Sequence, residues 1–447
     1  MGCGLMEAKE TAECCGDDEG MDCYADDRDA LNDFAKYYNN EHLSDVSLQV
    51  DDQRFAAHKI VLCRSSEVFD RMLSQRWSTK HTQDLTLTED SACSNVFDKF
   101  LRFLYCNHVL LNESNVLALL VLADKYSVHG LRKVCVDYAI EKVLPLINLK
   151  SLIHVWFKYS TTAYHRDLTR ECVQRISKHF ELIITKDDWN EDWLSLDRDQ
   201  LVELLKSNDL VLPNEYTLWE AVQKWFNARG SSTDLIAEVI PLIRFPYMTA
   251  DELSEVETSD LAQQNPSVFS PLTHLAFKFI SMTLSSRAVS SEFDGLQFLV
   301  RDYLDPRWDK RIKIAVSDLQ NKHQDYRVNL STRASTFPQS QWEWELIFAR
   351  NLNLATPYSS PNTRELSIEL KAVDLDQSRS VEYLFMCTND NEVKRKFAGK
   401  KTFTKSRTTT SLELENRLTL NELLGVEDSD LILNGELNLQ LVLRPIL

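Results

Sequence analysis

Leu43-Ser44-Asp45-Val46-Ser47-Leu48-Gln49-Val50 opens an alternation that no helix can produce. Val46, Leu48 and Val50 face one side of an extended chain, with Ser47 and Gln49 on the other, which is the pattern of a half-buried strand. A second strand is expected over Arg54 to Ala57, leading into Phe55-Ala56-Ala57-His58-Lys59-Ile60-Val61-Leu62, and a third over Leu85 to Leu87. Between and beyond them the period turns helical. Val96/Phe97, Phe100/Leu101 and Leu104 follow Ser94-Asn95, which reads as an N-cap, and Val116, Leu119/Leu120 and Ala123 repeat the spacing. Gly130 is expected to end that helix as a left-handed cap, with Leu131, Val134/Cys135 and Tyr138 beginning another.

Outward from this region the two flanks differ. Residues 146–287 read as helical almost throughout: Leu168, Cys172 and Ile176; Leu201, Leu204 and Leu205; Leu218, Val222 and Trp225. Pro213-Asn214 starts one of these helices, and Thr249 to Glu252 fits a capping box. After Phe293 the period becomes two: Ile312/Ile314/Val316, Tyr326/Val328/Leu330, Trp342/Trp344/Leu346/Phe348, Leu366/Ile368/Leu370, Val381/Tyr383/Phe385 and Leu437/Leu439/Leu441/Leu443. Alternating strands separated by polar turns predict an antiparallel β-sandwich. Glycine is only 10 of 447 residues and no Gly-Gly period recurs, which argues against a propeller.

The chain's length predicts two to four domains at roughly 100–200 residues each. With 43% hydrophobic and 26% charged residues it has the balance of a globular protein with sizeable cores. The net charge of −18 is uneven: residues 1–41 hold twelve Asp/Glu against Lys9, Arg28 and Lys36, a local −9. That segment cannot release counterions from phosphates, so it is no nucleic-acid face. Residues 1–28 are almost without branched apolar side chains and are expected to be a disordered acidic tail. The start lacks the regions of a secretory signal, and Met6 stands where a myristoylation site wants Ser or Thr, so a cytoplasmic or nuclear address is expected. The apolar run Val116 to Ala123 is too short to span a bilayer.

Ten cysteines show no C-x-x-C pair, which favours reduced thiols over a zinc site or a disulfide framework. No phosphate-cradling G-x-x-x-x-G-K-[ST] loop, H-E-x-x-H helix or G-x-S-x-G elbow occurs, so neither a catalytic residue nor a cofactor is assigned. A non-catalytic protein is expected.

Leu43-Ser44-Asp45-Val46, Phe55 to Leu62, Arg64-Ser65-Ser66, Phe69-Asp70-Arg71-Met72-Leu73, Phe103-Leu104-Tyr105 and Leu122-Ala123-Asp124-Lys125-Tyr126 together closely resemble the BTB/POZ signature. Leu210-Val211, Glu215, Leu218-Trp219-Glu220-Ala221-Val222 and Pro241-Leu242-Ile243-Arg244-Phe245-Pro246 resemble a BACK domain, and the C-terminal strands look like a TRAF-type or MATH-type sandwich. The resemblance implies a multidomain α+β chain: the acidic tail at 1–28, an α/β BTB/POZ domain at 29–145, an all-helical BACK domain at 146–290 and a TRAF-like sandwich at 295–447.

The family further implies a homodimer, with Leu31, Phe34 and Tyr38 on a helix that packs across the dimer and Asp45 and Lys59 as a charge pair near that interface. A helix covering its own domain is the alternative. Cullin-3 would dock on the helix ending at Met72-Leu73 and the loop beyond, where the family pattern of a hydrophobic residue, any residue and an acid aligns with Trp77-Ser78-Thr79. Trp77 can anchor in a pocket, but Thr79 cannot supply the carboxylate. The implied function is a cullin-3 adaptor in a ubiquitin ligase complex, with residues 295–447 binding an unknown substrate and no membrane or nucleic-acid partner. The alternatives are a BTB scaffold without a ligase and a secreted glycoprotein, whose sequons would be Asn112-Glu113-Ser114 and Asn329-Leu330-Ser331. Lys394, Arg395, Lys396, Lys400, Lys401, Lys405 and Arg407 read as a solvated loop between strands, able to meet an acidic partner segment or the acidic tail.

Overall fold

A computed structural model describes residues 33–74, 83–230, 232–320, 325–334, 341–350, 366–412, 431–433 and 435–446. The chain divides into two compact units, Met1–Leu146 and Ile147–Leu447.

In the first unit β1 (Val46–Val50) and β2 (Gln53–Ala57) form an antiparallel hairpin, and β3 (Gln83–Leu87) pairs with β1 in parallel. A parallel neighbour requires a crossover, which two short helices supply: α1 (Lys59–Ser65) and α2 (Glu67–Leu73). Val46, Leu48 and Val50 are buried as their alternation requires. The core is closed by α3 (Phe97–Cys106), α4 (Val116–Lys125) and α5 (His129–Tyr138), with Phe69 stacked on Tyr126 at 4.7 Å between ring centroids. Ser66 ties the crossover down, accepting from the Phe69 amide and donating to the Tyr126 carbonyl.

Two expected helix ends move. Ser94-Asn95 is not the cap of α3, because Asp90 caps a separate short helix at Ser91–Ser94 and Val96 takes the N-cap position. Gly130 does not cap α4: the left-handed residue is Ser127, at φ 53°, and Gly130 lies inside α5 against the Phe103 ring.

The second unit begins with helices, among them α6 (Arg166–Ser177), α7 (Arg198–Lys206), α8 (Glu215–Arg229), α9 (Ala250–Thr258), α10 (Pro266–Ser281) and α11 (Leu284–Val289). Leu168, Cys172 and Ile176 are buried on one stripe of α6. Asn214 caps α8 by accepting from the Thr217 amide, and Thr249 and Glu252 form both halves of the box at the start of α9. A two-residue strand, β4 (Val211–Leu212), interrupts the helices and pairs in parallel with β5 (Asp302–Tyr303).

Residues beyond 308 build two antiparallel sheets. One has the order β11 (Val393–Phe403), β10 (Arg379–Thr388), β14 (Glu436–Pro445), β13 (Ile432–Leu433), with β6 (Asp309–Ala315) also on β14. The other runs β12 (Thr409–Ser411), β9 (Leu366–Ala372), β8 (Gln341–Arg350), β7 (Tyr326–Arg333). Alternate residues of both, including Trp344, Leu346, Ile368, Tyr383, Phe385, Leu439 and Leu441, share one core. Trp344 is buried and Trp342 packs on that core, as their position on one face of β8 predicts.

The larger sheet is covered on its second face too. Leu384, Met386, Val393 and Val442 pack with Leu284 of α11 and Leu299. This is why β10 reads as a nearly unbroken apolar run where β7 alternates. Each such side chain removed from water contributes about 1.5–3 kcal/mol. On β11, Gly399 is favoured for a local reason: a Cβ there would lie 2.6 Å from the Tyr383 hydroxyl oxygen, so the tyrosine would have to shift. Two strand expectations change. Val316 leaves β6 and starts a short helix, Val316–Gln320. The basic run is not a loop: residues 394–403 lie within β11, held by pairing to β10 and by burial of Val393, Phe397 and Phe403.

Candidate interaction surfaces

In the first unit the face before β1 is built on polar contacts. Tyr38 donates to the Asp98 carbonyl at 2.9 Å and meets Tyr105 edge-on; burial pushes its phenol up. Buried His58 is held between the Tyr105 hydroxyl and the His42 carbonyl, each at 2.9 Å. Asp45 reaches Lys59 through the backbone: its carboxylate accepts from the Lys59 amide at 2.8 Å, which satisfies a free N–H at the start of α1. The contact is therefore a helix cap, and the Lys59 ammonium is not part of it. Phe34 lies under the Arg64 guanidinium at 5.5 Å. Leu31 lies outside the described residues.

Apolar side chains that periodicity does not flag stand out to solvent here. Ile60 is 78% exposed on α1, and Leu43 is 70% exposed on a left-handed residue at φ 61°. Both sit within the stretches quoted for the family signature, but their outward direction comes only from the fold.

The expected cullin-binding residues separate. Met72 is partly exposed, whereas Leu73 is buried beside Phe69, one helical turn away. Leu73 therefore belongs to the core and cannot offer a contact surface. Trp77, Ser78 and Thr79 lie outside the described residues.

In the second unit helices and sheets meet around a buried charge network that local patterns do not reveal. Glu215, the first residue of α8, accepts at both carboxylate oxygens from Arg301 at 2.6 and 2.8 Å, from the Tyr303 hydroxyl at 2.8 Å and from the Arg244 amide at 3.0 Å. Burial pushes its pKa up, but the Arg301 and Arg244 charges and these hydrogen bonds outweigh it and hold the carboxyl below its usual range. Arg301 also donates to the carbonyls of Leu205, Ser207 and Leu242. Arg244 donates to the Leu299 carbonyl and to Asn208, and burial followed by the charge of Arg301 pushes its pKa down to about 9. Asn208 continues the chain to the Asp390 carbonyl in the β10–β11 turn, while Asp209 holds both Arg311 and Lys313 of β6 at 2.5 Å.

Beside this joint opens a cleft of about 900 Å³, lined by Tyr164, Arg166 and Arg170 on the helical side and Lys313, Asp390 and Glu436 on the sheet side.

Six cysteines, Cys63, Cys93, Cys106, Cys135, Cys172 and Cys387, are free, and burial pushes the thiols of Cys93, Cys135, Cys172 and Cys387 up to about 12. Among the described residues no group of three or more His, Cys, Asp or Glu side chains could hold a metal ion, and no helix is long and apolar enough to cross a membrane.

Comparison with known proteins agrees with the first unit's topology and with the helical start of the second. Residues 34–143 match the family model of the BTB/POZ domain, and residues 152–257 that of "BTB And C-terminal Kelch", the BACK domain. BTB/POZ domain-containing protein 17 of Xenopus laevis is 26% identical over 60% of this chain and 56% of its own length. Kelch-like protein 25 of Homo sapiens is 26% identical over 48% of this chain and 35% of its own. A solved BTB domain of zebrafish PATZ1 is 23% identical, with a TM-score of 0.22, over 26% of this chain and 96% of that one. The chain thus carries a BTB/POZ domain followed by a BACK domain, and it spans about half the length of the BTB/POZ domain-containing protein 17 relatives.

Proposed function

We propose that this chain is a dimeric adaptor whose BTB/POZ domain and adjoining helices hold a cullin-3 scaffold while the C-terminal sheets, a TRAF-like sandwich, capture a protein substrate. The observation that carries the reading is the domain order. BTB and BACK domains are typically non-catalytic interaction modules, and BTB–BACK proteins of the Kelch-like kind typically serve as cullin-3 adaptors. Here they precede two antiparallel sheets that close on one core.

The dimer is supported by Phe34, Leu43 and Ile60, exposed apolar groups of the kind a second copy would cover. Leu31, Tyr38, Asp45 and Lys59 flank that face in the sequence. Met72 and Trp77 would provide the cullin contact, with Ser78 and Thr79 beside them. Two copies would present two substrate sites and raise the effective concentration for a bivalent target. The site of action would be the cytoplasm or nucleus, which cell fractionation tests.

Capture of cullin-3 by the full chain is the direct test. Thr79→Glu restores the acid of the family pattern and should strengthen capture, and Trp77→Ala should weaken it. If the wild-type chain does not bind and neither change alters this, the adaptor mechanism is wrong. A scaffold without a ligase then becomes the better reading, one that Thr79 in place of an acid already favours.

A further inference from the structure

We infer that the exposed basic strip along β11 and the turn after it is a docking site for the acidic segment 7–29 of this same chain, in its own copy or a second one. The docking goes beyond the adaptor reading and does not depend on it.

From 394 to 407 the sequence carries seven bases and no acid, in a protein of net charge −18. Some of these charges are already engaged: Lys394 with Glu392 at 2.7 Å, and Lys396 with Asp294 at 2.5 Å. Arg395, Lys400, Lys405 and Arg407 are exposed and form no ion pair among the described residues. Lys405 and Arg407 are carried by a tight turn in which Thr404 and Arg407 exchange backbone hydrogen bonds of 3.0 and 2.9 Å. Among the described strands β11 pairs with β10 alone, and the amide at its start, Val393, already donates to the Asp294 carbonyl, so it is the strand beyond Val393 that forms an edge for an added extended segment. A few lysines would suffice to keep such an edge from self-pairing. Arg395 and Lys400 on the two faces of the strand, with Lys405 and Arg407 at its turn, add a selection by charge for an acidic chain.

The acidic segment has the matching chemistry. Residues 7–29 contain ten Asp/Glu against Lys9 and Arg28. With 23 residues against the 11 of β11, the segment is long enough to lie along the whole strand.

The test uses the full chain and zero-length carbodiimide coupling, which joins carboxylates to lysines in contact, read by mass spectrometry. Docking is expected to link carboxylates of 7–29 preferentially to Lys400 and Lys405, with the links lost at high salt. In parallel, a fluorescent peptide of residues 7–29 is titrated into chain lacking residues 1–32. Lys400→Gln/Lys405→Gln/Arg407→Gln should weaken its binding by about tenfold, with an unchanged near-ultraviolet spectrum showing that the fold is kept. Links from these lysines to the acids of 413–430 alone, links spread evenly over surface lysines, or peptide binding insensitive to the triple change would each overturn the proposal.

Discussion

Glu215→Gln removes one charge and almost no volume, and the structure gives it a large effect. The wild-type carboxylate is fully buried, accepts four hydrogen bonds and is the counter-ion that Arg301 and Arg244 share. The amide keeps one acceptor and turns an N–H₂ group toward Arg301 and the Tyr303 hydroxyl, leaving two buried guanidinium groups without an anion. Breaking a buried pair from one side costs about 3–5 kcal/mol. At about 2–3 kcal/mol per molar urea this is a midpoint shift of roughly 1–2.5 M.

Tryptophan fluorescence isolates the relevant unit, because eight of the nine tryptophans lie between Trp156 and Trp344 and only Trp77 precedes them. The pH dependence supplies a second readout. The folded carboxyl sits below its ordinary value of 4.5, so its contribution is complete above that value and is lost as pH falls through the lower folded one. The Gln variant should lack this part of the acid unfolding. The double variant Glu215→Leu/Arg301→Leu should lose less than the two single changes added together. A shift below about 1 kcal/mol for Glu215→Gln, with an unchanged acid limb, would refute the argument that the network carries a buried anion.

Other perturbations test other parts of the structure. Leu73→Ala should cost the first unit about 2–5 kcal/mol while Met72→Ala stays within about 0.5, as measured by hydrogen exchange of residues 46–138 under urea. Asp209→Asn takes the anion from Arg311 and Lys313 and should lower the fluorescence midpoint by about 1.5–3 kcal/mol; burial raises the Asp209 pKa, but the two cations outweigh it, so this contribution too disappears as pH falls below 3.8. Gly399→Ala places a methyl group against the Tyr383 hydroxyl and should cost about 1–3 kcal/mol by the same fluorescence assay.

Much of the fold is legible before any coordinates, because its causes are local. The alternation of Val46, Leu48 and Val50 names the buried face of β1, the spacing of Leu168, Cys172 and Ile176 names the buried stripe of α6, and Asn214 and the Thr249–Glu252 pair mark helix starts where side chains do accept the free amides. Each is decided by residues within about one helical turn or a few strand positions of one another. The misplaced features are those a local pattern leaves open. Gly130 satisfies the composition of a left-handed cap, but the backbone turns at Ser127, and the charges of β11 resemble a loop until its pairing with β10 is seen.

What only tertiary structure decided is which distant residues meet. Glu215 and Arg301 stand 86 positions apart, and Arg244 joins them from a third segment; an ion pair across such a separation imposes no period on the chain between. The direction of a side chain from its own surface is equally non-local, which is why adjacent Met72 and Leu73 part and why Ile60 and Leu43 turn outward. The sequence by itself therefore determined most elements, through periodicity and capping, and the succession of a mixed, a helical and an alternating region along the chain. The face each interaction residue presents was decided by packing, since burial belongs to the whole unit and not to any short stretch of it.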